Sequence, residues 1–350
     1  MKIGQILSNK FKQSHTNIFS IIIPVYNGED TIERTLASLI SNKDYIKEVI
    51  VINDKSTDET LKKIREFQGC GFFPIYVYSN VMRRGPGYSR KAGIEYAKAP
   101  WITFVDADDC LTASSLRYVY DHISDNDDLV LVHSKTIYYE SGSFVAENVT
   151  YSDTSCGGNF YRREYLIENN LYPHDDLFMS EDEYFNEKVM YYISYCDKTD
   201  KDNLGRFDYP VYEVHHDIDD SLSFALDNWS DYCCKYHLLY KQYLTDYFIE
   251  YDDMRDILYE DFINNFIFCF FLCEGLVLDD DVEFEMEDGE VCFREAIEYF
   301  ERVFKQPRQK IIYYYYNNQE TIDSLLESAF SSVGFEFENH IEFGDFISNL

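Results

Sequence analysis

The sequence predicts an α/β protein with a mostly parallel central sheet, followed by a mainly helical C-terminal region. Three observations predict it. Continuous apolar runs alternate with helix-periodic segments over the first hundred residues. Carboxylates and turn residues cluster just after those runs. From about Ser221 the alternation gives way to helical spacing alone.

Phe19–Val25 (FSIIIPV) is apolar at consecutive positions, as a strand covered on both faces must be. Ile32, Leu36, Leu39 and Ile40 then recur at helical spacing. Residues 47–53 (KEVIVIN) form the second apolar run, and Ser56-Thr57-Asp58-Glu59 reads as a capping box opening a helix with Leu61 and Ile64 on one face. Residues 74–79 (PIYVYS) give a third strand, 87–97 a third helix and 101–105 (WITFV) a fourth strand. Short connections between such elements require right-handed crossovers, and ligands on such sheets gather beyond the carboxyl ends of the strands. Farther on, Phe262, Phe266, Cys269, Phe270 and Cys273 mark a buried helix, and residues 279–290 read as an acidic loop or hairpin around Asp288-Gly289. Residues 313–316, four tyrosines, fit a half-buried strand or helix segment. The expected organisation is an N-terminal extension (1–18), an α/β domain (19–223) and a mainly helical domain (224–350) that binds an acceptor or forms an oligomer.

Composition narrows the function. The net charge of −33 repels nucleic acid and anionic membranes, so a polyanion partner would need a local basic groove. Nine cysteines without CxxC spacing argue against a disulfide framework or a zinc site and for reduced thiols in a cytoplasmic protein. The first twenty residues lack the apolar core of a signal peptide. The most apolar stretch, 262–278, is interrupted by Asn264, Asn265 and Glu274 and is too short for a membrane span.

Four patterns sit where the strand-end rule directs attention: Pro24-Val25-Tyr26-Asn27-Gly28, Asn53-Asp54-Lys55-Ser56-Thr57-Asp58, Asp106-Ala107-Asp108-Asp109 and Ser180-Glu181-Asp182-Glu183. Three carboxylates at the mouth of a buried strand repel one another unless a cation or hydroxyl groups join them. Oxygen ligands favour a hard divalent ion, Mn²⁺ or Mg²⁺, shared with a diphosphate. Between residues 81 and 98, Arg83, Arg84, Arg90, Lys91 and Lys98 are opposed only by Glu95, and a basic patch beside clustered carboxylates suggests a phosphate–metal site.

In order and spacing, residues 19–223 resemble the family 2 glycosyltransferases, inverting enzymes of the GT-A fold. The resemblance rests on Ile21-Ile22-Ile23-Pro24-Val25-Tyr26-Asn27, Asn53 to Asp58, Ser89-Arg90-Lys91-Ala92-Gly93, the Asp-x-Asp triplet Asp106-Ala107-Asp108, and Glu181-Asp182 preceded by Gly157-Gly158 and Phe160-Tyr161-Arg162-Arg163. It implies a nucleotide-sugar donor, with UDP expected. Asp54 would recognise the base beside the loop of Pro24, Tyr26 and Asn27, Arg90 would bind the donor, and Asp106 would hold the ribose or assist the metal. Asp108 would ligate the metal, and Asp182 would be the general base. His215 or His216 would add a metal or phosphate contact, with His216 the favoured ligand.

The chemistry this implies is one displacement at the anomeric carbon, with the acceptor hydroxyl activated by a carboxylate and no covalent enzyme intermediate. Asn53, Lys55 and Lys91 depart from the family's usual residues. The Gln-x-x-Arg-Trp element of processive synthases is absent, so a single transfer to a glycan, lipid-linked sugar or protein is expected. Two alternatives remain open: a GT-A-like module without catalysis, and a transferase acting on modified DNA through a groove gathering Arg162 and Arg163.

Overall fold

The structure is a computed structural model. It describes residues 17–140, 143–151, 155–177, 179–197, 203–217, 229–251, 253–276, 286–319 and 322. The chain divides into two compact units, Met1–Ser221 and Leu222–Leu350.

In the first unit, β1 (Phe19–Val25) is buried at every position and is followed by α1 (Ile32–Ser38), which runs into a 3-10 turn at Leu39–Tyr45. Then come β2 (Ile46–Asn53), α2 (Thr60–Gln68), β3 (Ile75–Ser79), α3 (Gly85–Tyr96) and β4 (Trp101–Phe104). The strand bounds lie within two residues of the sequence expectation, because buried parallel strands are apolar without interruption and their ends show as abrupt changes in polarity. The helix expected at Ser56 begins four residues later, with Glu59 at its N-cap position, and the Thr60 N–H donates to Asp58 Oδ1 at 3.1 Å.

The chain continues through β5 (Cys110–Leu111), α4 (Ser115–His122), the long β6 (Leu129–Glu140), β7 (Ser143–Tyr151), β8 (Phe160–Arg162), α5 (Arg163–Glu168), α6 (Glu181–Tyr191) and β9 (Leu204–Asp217). The sheet order is β3-β2-β1-β4-β8-β6-β9-β5, with β7 paired to β6. Strands β3, β2, β1 and β4 are parallel neighbours, and so are β6 and β9. The short β8 runs antiparallel to both β4 and β6 and joins the two parallel regions.

Alternation along β1 and β2 sends side chains to two covered faces. Ile21, Ile23, Val49 and Val51 share one core with Leu36, Leu39 and Ile64 from the α1–α2 side. Ile22 points the other way, against α3 at Gly93, where an added Cβ would lie 2.3 Å from Ile22 Cγ2. Only glycine lets the helix approach that closely. Pro24 sits inside β1 opposite Ile52. Backbone polar groups alternate sides along a strand, and Ile22 faces β4, so the missing Pro24 N–H also faces that side, beyond where β4 has ended.

The second unit is helical where described: α7 (Trp229–Phe248), α8 (Arg255–Leu276), α9 (Met286–Phe304) and α10 (Gln309–Asn317). Phe248, Phe262, Phe266, Phe300 and Phe304 fill its interior. The buried Lys241 ammonium meets Asp261 at 3.0 Å between α7 and α8. Residues 286–290, expected in an acidic loop or hairpin, instead open α9, and residues 277–285 lie outside the described residues. The run of turn-forming residues at Asp288-Gly289 is overridden by the apolar face that α9 packs through Phe293, Ile297 and Phe300. The four tyrosines 313–316 are helical, with Tyr315 buried and Tyr313 and Tyr316 exposed. Among the described residues no helix is long and apolar enough to cross a membrane, and Cys70, Cys110 and Cys156 are free thiols.

Candidate active site

The loops leaving β1 and β2 are stitched into one surface. The Asn27 N–H donates to Ser56 Oγ at 2.9 Å, and the Thr57 N–H donates to Asn27 Oδ1 at 2.9 Å. Glu29 and Asp58 exchange support in the same way: the Glu29 N–H reaches Asp58 at 3.0 Å, and the Glu59 N–H reaches Glu29 at 2.8 Å. Asn27 holds a left-handed backbone (φ 48°), a conformation that Asn tolerates better than most residues. Tyr26, 41% exposed, carries the Arg83 guanidinium 4.0 Å from its ring centroid.

Asp54 is 4% exposed. Its Oδ1 accepts from Asn80 Nδ2 at 2.7 Å and from the Arg84 N–H at 2.8 Å, and its Oδ2 accepts from the Gly85 N–H at 2.8 Å. The carboxylate therefore braces the first turn of α3, where backbone N–H groups have no partner within the helix and a negative charge is favoured. A carboxylate offers about four acceptor sites. Three are filled, and the open one is on Oδ2.

The β4 end and the α6 start are joined through Arg90 on α3. Arg90, 4% exposed, donates from Nη2 to Asp106 Oδ1 at 2.7 Å and from Nη1 to Glu181 Oε1. Glu181 is equally buried, and that burial pushes its carboxyl up to about 7 against the pull of Arg90. Its neighbour Asp182 is partly buried, and the one hydrogen bond its carboxylate takes among the described residues comes from the backbone N–H of Glu183. Desolvation raises the Asp182 carboxyl above the ordinary range, opposed by Arg90 and that backbone donor and assisted by the Glu183 and Asp106 charges. Asp108 is exposed at the tip of the β4 loop. Asp109 turns inward to accept from Tyr212 Oη at 2.7 Å and the His215 N–H at 2.9 Å, and burial beside Asp108 and Asp106 raises its carboxyl well above the usual range.

The structure thus brings Arg90, Asp106 and the Glu181-Asp182 pair together and leaves the other expected residues in different settings. Pro24 stays within the sheet. Arg90 is spent on two carboxylates, so it positions other groups. His216 pairs through its backbone with Tyr138, and its side chain lies outside the described residues. The basic run does not form one patch. Lys91 pairs with Asp175 at 3.0 Å, Lys98 lies over Tyr76, and Arg83 and Arg84 lie over Tyr26 and Tyr88. Successive positions of a helix point in different directions, so closeness in sequence does not gather charge. Asn80 and Tyr212 were not singled out from sequence. Tyr212 lies three residues before His215, but nothing local marks a tyrosine as the partner of a loop a hundred residues away.

Among the described residues no three His, Cys, Asp or Glu side chains converge to hold a metal by themselves. Asp108 is outward, and Asp106 is already engaged with Arg90. That donor set fits a hard divalent ion held by one or two carboxylates and completed by phosphate oxygens and water.

The family model for glycosyl transferase family 2 matches residues 20–187, the span that contains β1 through most of α6. Residues 20–187 form a family 2 glycosyl transferase domain. The chain is 36% identical over 111 residues to the poly(ribitol-phosphate) beta-glucosyltransferase of Bacillus spizizenii, a stretch covering 31% of this chain and 17% of that protein. It is 27% identical over 190 residues to the poly(ribitol-phosphate) beta-N-acetylglucosaminyltransferase TarS of Staphylococcus aureus, covering 49% of this chain and 32% of TarS. The matches therefore span about a third or less of the length of these curated relatives. The crystal structure of S. aureus TarS 1–349 in complex with UDP-GlcNAc superposes with a TM-score of 0.61 at 21% identity, over 91% of this chain and 93% of that one, which establishes a common fold.

Proposed function

We propose that the enzyme transfers a sugar from a UDP-sugar to an acceptor hydroxyl in a single displacement that inverts the anomeric centre, with Asp182 as the general base. The observation that carries the reading is the Arg90 bridge. One buried guanidinium fixes Asp106, at the strand end where a donor diphosphate would lie, and Glu181, whose neighbour Asp182 takes a backbone N–H from Glu183 and, among the described residues, no side-chain hydrogen bond.

Asp54 takes the base through its remaining acceptor site on Oδ2, which suits the imide N–H of uracil. Tyr26 and Asn27 flank that site on the stitched loop surface, and Pro24 holds the strand from which the loop leaves. Asp106 orients the ribose side of the donor, and Asp108 holds a Mn²⁺ or Mg²⁺ ion, with His216 a candidate second ligand. The ion, when bound, neutralises charge growing on the departing diphosphate. Asp182, with its proton affinity raised by desolvation, removes the acceptor proton as the hydroxyl oxygen attacks the anomeric carbon on the face opposite the leaving group. An α-linked donor gives a β-linked product.

Both relatives compared here have poly(ribitol-phosphate) in their names. For this chain the net charge of −33 favours a neutral glycan, lipid-linked sugar or protein acceptor over a polyanion. The test is nucleoside diphosphate release from a panel of nucleotide sugars with Mn²⁺ or Mg²⁺, run with a chelator and with Asp108→Ala, and with poly(ribitol-phosphate) as one acceptor. Metal-dependent release from one donor, lost in the variant, is the expected result. Absence of both release and nucleotide binding under every metal would overturn the reading in favour of a non-catalytic module.

A further inference from the structure

Gly157-Gly158 and Tyr212 have no part in the chemistry just described, yet they meet behind the β4 loop. Phe104 and Gly157 form an isolated parallel bridge, and the Gly158 N–H donates to the Phe104 carbonyl at 3.0 Å, so the glycine pair extends the sheet beside the end of β4. The ring of Tyr212, from β9, lies against both glycines. A Cβ on Gly158 would fall 2.5 Å from Tyr212 Cβ, and one on Gly157 would fall 3.1 Å from Tyr212 ring atoms. Gly158 also holds a left-handed φ of 78°. No larger residue at 158 leaves the ring where it is.

Seated there, the Tyr212 hydroxyl engages both ends of a four-residue loop. It accepts the Asp106 N–H at 3.0 Å and donates to Asp109 Oδ2 at 2.7 Å, while Asp109 Oδ1 is held by the His215 N–H of the same strand. The Asp109 N–H closes the loop onto the Asp106 carbonyl at 3.1 Å. Between these anchors Ala107 packs against the core and Asp108 is exposed.

Building on the donor-site reading above, we infer that Tyr212 is a positioning residue: its hydroxyl, seated by Gly157-Gly158, brackets the Asp106–Asp109 loop and aims the Asp108 carboxylate at the metal–diphosphate position. The bracket spans strands β4 and β9, so the loop's conformation is set by the sheet and is in place before the donor arrives. A preset loop spares the ordering that binding would otherwise require.

Tyr212→Phe deletes the hydroxyl and keeps the ring. In the free protein, hydrogen–deuterium exchange across residues 105–110 should accelerate about tenfold, the scale of one lost buried hydrogen bond, while β2 keeps wild-type rates. UDP titrated with Mn²⁺ should bind about tenfold more weakly than to the wild type, and UDP without metal equally well. The donor KM should rise with kcat nearly unchanged. Unaltered exchange at 105–110 overturns the bracket, and this arm needs no nucleotide. Equal acceleration in β2 reduces Tyr212 to general packing and also overturns it. Faster loop exchange with wild-type metal-dependent UDP affinity overturns the aiming of Asp108. If the wild-type chain itself binds no UDP with any metal, the donor-site reading fails, and exchange alone decides the bracket.

Discussion

Asp54, just after β2 with its carboxylate against the first turn of α3, and Asp182, in the first turn of α6, are the same residue type, and the protein treats them in opposite ways. Asp54 is enclosed by three donors, so the cost of burying its charge is offset and the carboxylate becomes a brace for α3. Asp182 is desolvated with a single backbone donor, the Glu183 N–H, and that donor and the nearby Arg90 charge favour its ionised form without overcoming the cost of burial. The difference teaches that the donors supplied to a carboxylate, more than its burial, decide whether it acts as structure or as a base. Burial with three donors holds a backbone in place, and burial with one leaves a group that takes up protons readily.

The sharpest way to break the comparison is Asp182→Asn. It keeps the shape and removes the base, so kcat should fall by on the order of a thousandfold while UDP affinity stays within a factor of two or so. A variant that retains activity would remove Asp182 from the chemistry. Next in size, Asp54→Ala leaves the Arg84 and Gly85 N–H groups and Asn80 without their acceptor. Chemical denaturation should report a loss of about 2 kcal/mol. Wild-type stability would mean that Asp54 is no brace and that its contrast with Asp182 has no basis.

The pH profile sharpens the same contrast. A base must be ionised, and the Asp182 pKa is raised, so kcat should fall with decreasing pH at values above the 3.8 of an ordinary aspartate. Removing a neighbouring positive charge disfavours the ionised carboxylate further. Arg90→Gln should therefore move the acid limb upward, by about one pH unit. A limb that stays put or moves downward would show that Arg90 does not act on the base. Smallest, Arg83→Ala removes an exposed stacking partner of Tyr26 and should change UDP affinity by only about threefold. A much larger loss, measured by titration, would move Arg83 into direct contact with the donor.

The parallel region of the sheet was legible because its pattern is local. The runs FSIIIPV and KEVIVIN each specify a buried strand, and the carboxylates that follow them mark the strand ends where a site forms. The remainder was less legible. Strands β6 and β9 pair over a long sequence distance, and β8 is only three residues long. Arg90 shows the limit most clearly. Its place in the family-like motif was visible, but its role as a link between Asp106 and Glu181 depends on residues 16 and 91 positions away.

The sequence by itself determined the order of elements in the α/β region, the strand-end placement of Asp54, Asp106 and Asp108, and the helical character of the C-terminal region. Those properties follow from periodicity and from where apolar runs stop. Only the tertiary structure decided which carboxylates receive hydrogen bonds, that the basic run disperses onto separate partners, and that Gly157-Gly158 seats Tyr212 behind the β4 loop. Each of these is a contact between segments whose separation in sequence bears no relation to their distance in space. A sequence pattern records which residues are available, and the packing of the sheet decides which of them meet.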